Sequence, residues 1–407
     1  MLGLRRDRIL LIDFLMRISF GLANFSYPAI SRLVADQFGL SNTETGLVNS
    51  AFFAAYAVMQ IPGGFIVEKI GSPRSLFSSS LLMSLGPIIF IAGGSYESAL
   101  ISRVVSGAAA GVLFPSMIRL LSLWYERGEL NKPTAIFATA GGISQIMAAW
   151  LLPLFIVGSS WRPPLIFTVI FSTAVSLIGI FPVLWKRNTS LPTSENLSRR
   201  KVDLRGLFTR NMFALMLPNF AVLVVVYGVF AWTSDYLVTT LHLSLEQAGL
   251  LLSSIGFASI VGSLAGGFLD HAIGKKRTIL VSAILSVLFT CLIGFANSWS
   301  LAAAFIFGVG FSSTLYFAAV FSLIPFAAKQ GLAVAGITFG VFNSLSNVGT
   351  FISPLIFGFV LDRTNSFTLG YLVLGAIASL GIIGPLILKM DQFLASNRTV
   401  VVPSETE

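Results

Sequence analysis

Long apolar stretches separated by short polar turns recur along the whole chain, and charges and glycines cluster in the turns. A helix rises about 1.5 Å per residue, so about 20 mostly apolar residues cross the hydrocarbon of a bilayer. On that measure the pattern predicts twelve spans: 9–31, 43–65, 75–94, 99–123, 133–156, 163–185, 212–236, 246–269, 278–296, 300–325, 331–359 and 367–389. The reading is an all-α membrane protein.

The pattern also repeats. Thr45-Gly46-Leu47 and Ala248-Gly249-Leu250 each open a span that closes on a glycine pair, Gly63-Gly64 and Gly266-Gly267. Each then leads to a glycine and an arginine, Gly71 and Arg74, then Gly274 and Arg277, all at one offset of 203 residues. Half-chain duplication predicts two pseudo-symmetric six-helix bundles with a site between them, an arrangement of secondary transporters. The expected domains are an N-terminal bundle at 1–185, a linker at 186–211, a C-terminal bundle at 212–390 and a tail at 391–407.

Composition agrees, with 55% hydrophobic residues, 11% charged residues and a mean hydropathy of +0.86. The net charge of +9 does not point to nucleic acid, because 20 of the 26 Lys and Arg fall on one side of the predicted membrane. Only Arg32, Arg162 and Arg363 fall on the other side. The asymmetry places both termini and the central loop in the cytoplasm, with Arg199, Arg200 and Lys201 as an anchor on anionic headgroups. The amino-terminal apolar run holds Asp13 and Arg17, is too long and polar for a cleaved signal, and stays as span one.

A single cysteine, Cys291, gives no intrachain disulfide, and His242 and His271 fall in loops. No metal site, cofactor or enzyme constellation is expected, and no Gly-Lys-Ser/Thr phosphate loop is present for ATP-driven transport. Chemistry is therefore sought among ionisable residues in the spans, each of which costs at least about 2.5 kcal/mol to insert at a helix centre. Asp13 and Arg17 stand at i and i+4 on one face of span one, where they would neutralise each other, and Arg103 lies inside span four. Asp235 near the end of span seven is a second proton-site or outer-gate candidate beside Asp13. Tyr27, Gln145, Asn343 and Asn347 are the further substrate-contact candidates, the two asparagines one turn apart. Gly141, Gly142 and Pro153, with Gly349 and Pro354, would bend spans five and eleven.

The end of span two reads Gly64-Phe-Ile-Val-Glu68-Lys69-Ile-Gly71-Ser-Pro-Arg74, which resembles the loop signature of the major facilitator superfamily. The second half repeats it as Gly267-Phe-Leu-Asp270-His271-Ala-Ile-Gly274-Lys275-Lys276-Arg277. Glu68 stands where aspartate is usual, Ser72-Pro73 replaces two bases, and strict register sets His271 opposite Glu68. Arg103-Val-Val-Ser-Gly107-Ala-Ala-Ala-Gly111 in span four resembles the family's arginine-plus-glycine motif, and Pro354, Gly358 and Asp362 follow a familiar pattern in span eleven. The resemblance implies the family's twelve-helix fold and a cytoplasmic gate built on Gly64, Glu68, Lys69, Gly71, Arg74, Gly267, Asp270, Gly274 and Arg277.

Asp13-Phe-Leu-Met-Arg17, taken with Arg103, also resembles the anion:cation symporter branch, whose members place arginines at these two positions around an organic anion. The carboxylate usual seven residues after the span-four arginine is Ala110 here. The expected protein is a monomeric, multi-pass carrier in a prokaryotic cell membrane, working by alternating access. Its expected cargo is a small organic anion gripped by Arg17 and Arg103, with a proton carried at Asp13 or Asp235. The alternatives are an exporter of drug-like amphipaths and, further off, a ligand sensor that moves nothing.

Overall fold

Backbone surrounded by hydrocarbon has only its own N–H and C=O groups as partners, so each apolar run is expected to fold as a helix. The computed structural model describes residues 2–125, 131–185, 205–324, 327 and 335–390, and every regular element among them is helical. The first half comprises α1 (Leu2–Phe25), α2 (Ser31–Phe38), α3 (Asn42–Ile70), α4 (Ser72–Gly93), α5 (Tyr96–Trp124), α6 (Asn131–Ile146) and α7 (Arg162–Trp185). The second comprises α8 (Arg210–Thr240), α9 (Leu245–Ile273), α10 (Lys275–Ile293), α11 (Trp299–Leu315), α12 (Phe317–Leu323), α13 (Ala335–Ser346), α14 (Val348–Thr364), α15 (Phe367–Ala378) and α16 (Leu380–Ile387). Residues 186–204 of the expected linker and the tail at 391–407 lie outside the described residues.

Among the described residues, eleven segments are long and apolar enough to cross a membrane. α1 is not one of them, since Arg8, Asp13 and Arg17 put three charges into its apolar run, yet it occupies the place of the first predicted span. The twelve predicted spans correspond to these helices, but several are in two pieces. Span one breaks at Ser26–Ile30 around Pro28, span ten at Tyr316, span eleven at Asn347 and span twelve at Ser379. Span five passes from α6 into a π-helical turn at Met147–Leu151 and a 3-10 turn at Leu152–Phe155, where Pro153 withdraws an N–H.

The 203-residue repeat is built into the geometry. Ser41 and Glu44 form a capping box at the start of α3, and Ser244 and Gln247 form the same box at the start of α9. Gly71 and Gly274 end those helices at φ 88°, ψ 148° and φ 84°, ψ 153°, a region open to glycine and strained for other residues. Gly63 approaches the backbone of Gly111 in α5, and its repeat partner Gly266 approaches Leu315 in α11. The close approaches thus fall to Gly63 and Gly266, while Gly64 and Gly267 face open space.

The first residue of each glycine signature has another role. Gly46 packs on the backbone of Pro354, and its repeat partner Gly249 packs on Ala149. Both contacts join the two halves, on the side away from the termini, here called the far side. Gly142 and Gly256 meet across the same boundary, and Gly358 meets Asn42. Backbone held this close needs residues without a Cβ. An apolar cluster containing Leu22, Phe25 and Ala148 of the first half with Val225, Phe230 and Leu252 of the second completes the seam.

Close approaches of this kind within one half give a direct stability test. A Cβ on Gly107 would collide with the Phe52 carbonyl of α3, whereas one on Gly64 would meet nothing within 4 Å. Gly107→Val is expected to lose about 1–3 kcal/mol by overpacking, and Gly64→Val to stay within about 0.5 kcal/mol. Unfolding of the purified protein in detergent measures both.

Candidate functional site

Arg17 sits about four turns inside α1 and is only partly buried. Its guanidinium lies 5.0 Å from the ring centroid of Phe20, 5.7 Å from that of Phe114 and 5.6 Å from that of Phe137, the last two supplied by α5 and α6. A Cβ on Gly141 would lie 3.0 Å from Arg17 Nη2, so the glycine leaves the head group its room. The rings attract the charge through their faces, by about 0.5–2 kcal/mol each, but they accept none of the five N–H bonds. No described residue forms a hydrogen bond or ion pair with this guanidinium.

Asp13 lies one turn away and is fully buried, and neither of its carboxyl oxygens has a hydrogen-bond partner. The ion pair expected from the i, i+4 spacing is therefore not made. Helical spacing brings two side chains to one face, but the aromatic rings hold the arginine elsewhere. Asp13 and Arg17 still interact through space.

From the second half, Asn343 donates through Nδ2 to Gln60 Oε1 at 3.1 Å, and the Tyr56 hydroxyl neighbours both amides. Gln60 Nε2 is buried without an acceptor, and Gln145 Oε1 is buried without a donor. Tyr56 and Tyr227 both lie within electrostatic reach of Arg17. Asn347 does not join this group: its Nδ2 is given to the Asn343 carbonyl at 2.7 Å, closing the break between α13 and α14.

Arg103 is differently placed. It is 4% exposed, donates to the carbonyls of Ala23 at 2.7 Å and Asn24 at 2.9 Å, and lies over Phe52 at 4.6 Å. It shares no ring or acceptor with Arg17, so the two expected arms of one clamp are occupied separately. Tyr27 packs beside Arg103 in a cluster with Ile30, Val34 and Trp161, and its hydroxyl has no partner.

Asp235 bonds Arg32 Nη1 at 2.5 Å on the far side, and the two positions are 203 residues apart. Asn24 Nδ2 donates to Tyr227 Oη at 3.3 Å, again across 203 residues. Residues that touch their own repeat equivalents lie on the pseudo-twofold axis, as in an isologous interface. Asp362 at the end of α14 accepts from the backbone N–H groups of Asn42 at 2.9 Å and Thr43 at 2.7 Å, capping α3 from the other half. In sequence Arg32 stands only as one of three arginines on the far side, although subtracting the repeat length from Asp235 arrives at it. The three phenylalanines around Arg17 carry no such signal among the 36 in the chain.

On the terminal side, Glu68, Lys69, Arg74 and Arg277 are exposed, and Asp270 Oδ1 is buried without a partner. Among the described residues, the hydrogen bonds between the halves run from the far side to Gln60, and none reaches the terminal ends of α3 or α9. No group of three metal-ligating side chains occurs among the described residues.

A family model described as Major Facilitator Superfamily matches residues 9–354 and 231–399. The chain is 26% identical over 383 residues to the probable sulfoacetate transporter SauU of Cupriavidus necator, spanning 88% of this chain and 87% of that one. It is 21% identical to the probable galactarate/D-glucarate transporter GudP of Escherichia coli, over 88% of this chain and 87% of the relative. It is 23% identical to the hexuronate transporter of Bacillus subtilis, over 91% of each. Among solved structures, the nucleoside transporter NupG superposes with a TM-score of 0.78 at 12% identity, covering 94% of this chain and 100% of that one. A bacterial homologue of the human lysosomal transporter Spinster gives 0.72 at 15% identity, over 98% and 99%. The fold is that of these transporters, and the relatives named are carriers rather than enzymes.

Proposed function

We propose that this chain, which belongs to the major facilitator superfamily, is a secondary transporter that moves a small organic anion by alternating access, with Arg17 as the anion contact. One observation carries the reading: a guanidinium inside the bundle, ringed by Phe20, Phe114 and Phe137, with no acceptor for its N–H groups among the described residues. An arginine at membrane depth is costly to place, and a carboxylate or sulfonate with two oxygens in plane is its natural complement. Relatives named for sulfoacetate, hexarate and hexuronate transport support the same class.

Gln60, Gln145, Tyr56 and Asn343 are the groups we assign to the remainder of the substrate, since two of them present unpaired buried atoms. Asp13 is the proposed proton carrier, because its carboxyl lies one turn from Arg17 and has no hydrogen-bond partner among the described residues. Asp235, tied to Arg32, is the proposed far-side gate. The bundles at 1–185 and 212–390 are the two rocking bodies, joined by 186–211, with a tail at 391–407. The loop motif from Gly64 to Arg74 and its repeat from Gly267 to Arg277 form the gate that closes when the far side opens. The excess of Lys and Arg supports cytoplasmic termini in a prokaryotic cell membrane, and the carrier is taken to act as a monomer.

The test is thermal stabilisation of the purified protein by sulfoacetate, galactarate, glucuronate, a neutral nucleoside and a lipophilic cation, followed by flux in proteoliposomes with and without a pH gradient. Stabilisation confined to the acids, with flux of the same acid, is the expected result. A response to the cation alone would replace the reading with that of a drug exporter, and tight binding of an acid without flux would make the protein a sensor.

A further inference from the structure

Span one is broken, and sequence states why. α1 ends at Phe25, and a helical C=O at Asn24 needs the N–H of residue 28, which is Pro28. The last carbonyls of a helix also lack intrahelical donors. Backbone acceptors stranded at membrane depth are costly, and a neighbouring helix commonly supplies the missing donors. Here Arg103 of α5 does so, with Nη1 on Ala23 O at 2.7 Å and Nη2 on Asn24 O at 2.9 Å. A planar fork with two parallel N–H bonds suits two adjacent carbonyls, whereas an ammonium cannot span them in this way.

The joint sits between functional parts. α1 before it carries Arg17, and α2 after it carries Arg32, whose partner is Asp235. Asn24, whose carbonyl Arg103 holds, reaches across the axis to the Tyr227 hydroxyl, and Tyr227 stacks on Phe25 at 5.5 Å.

We propose that Arg103 is a positioning residue, a fork that supplies the donors missing at Pro28 and fixes the joint between the anion site on α1 and the gate on α2. It acts on the substrate through this joint and not by contact. The inference rests on the reading of Arg17 as the anion site, but its far-side consequence can be measured without any ligand.

The experiment uses the full chain with Cys291→Ser and a reporter, Ala149→Cys, on the buried far-side seam. Arg103→Gln and Arg103→Lys are each made alone and with Pro28→Ala, which returns an N–H to residue 28. Maleimide labelling, sulfoacetate affinity and proteoliposome flux are measured. Loss of the fork is expected to raise the labelling rate and cut flux by about tenfold, the worth of a charged hydrogen bond, with affinity held within about threefold. Lysine should fail nearly as badly as glutamine, and Pro28→Ala should restore part of both labelling and flux.

An affinity loss of tenfold or more in Arg103→Gln, eased by lysine and untouched by Pro28→Ala, would make Arg103 a direct anion contact and overturn the proposal. Unchanged labelling in every Arg103 variant would overturn it as well. If the native protein binds no acid, the anion reading fails, while the labelling and its rescue still decide the role of Arg103. Should Arg103→Gln not fold, Tyr227→Phe tests the same joint through Asn24, with the same direction of change expected in labelling.

Discussion

Arg17→Gln is expected to weaken anion binding by about 10- to 100-fold and to cut flux with it, while leaving the unliganded protein about as stable as the native chain. Glutamine keeps polarity and approximate length but removes the charge and the fork. Hydrogen bonds to a charged group are worth about 1.5–3 kcal/mol, so affinity for the transported acid should fall by about 10- to 100-fold. The stability arm separates this from a structural role. In the unliganded state the guanidinium has aromatic neighbours but no acceptor among the described residues, and its insertion costs at least about 2.5 kcal/mol on the translocon scale. Removing the charge loses the ring contacts and relieves the insertion cost, two terms of similar size, so the melting temperature should change little. Arg17→Lys should fall between, because an ammonium keeps the charge and the rings but not the bidentate geometry. A marked drop in stability of unliganded Arg17→Gln, with acid binding preserved, would return Arg17 to the status of a packing residue and remove the basis of the anion reading.

The sequence made much of this architecture readable, because the 203-residue repeat is a geometric statement. Ser41 with Glu44 and Ser244 with Gln247 form the same cap, and Gly71 and Gly274 take the same backbone conformation. Gly46 and Gly249 hold the same kind of seam. Side-chain direction was less readable. Arg17 and Arg103 look alike in sequence, each an arginine well inside an apolar span, yet one faces aromatic rings and the other backbone carbonyls. Pro28 held the clue, but using it required knowing that span four passes the break. Asp13 and Arg17 had the spacing of an ion pair, and spacing says nothing of the rotamer that three phenylalanine rings impose.

The same repeat predicts how the far side should respond to charge reversal. Arg32 and Asp235 are repeat equivalents that touch, so the pseudo-twofold axis passes between them and maps each position onto the other. Asp235→Arg would set two guanidinium groups against each other there. Like charges across an interface cost several kcal/mol when buried, and with side chains 40% and 21% exposed the penalty is discounted to about 2 kcal/mol. That shifts the closed far side by about 30-fold, read as faster maleimide labelling of the Ala149→Cys reporter and slower net flux. Adding Arg32→Asp to Asp235→Arg should restore closure, because the axis presents the swapped pair with nearly the same geometry and opposite polarity. The pin at Asp362 gives the contrast: Asp362→Ala removes a cap worth about 1 kcal/mol from the N-terminus of α3, and no reversal on the axis should recover it. Failure of the double reversal to close the far side, in a protein that folds and binds acid normally, would mean that Arg32 and Asp235 serve separately. The axis would then be a feature of ancestry and not of gating.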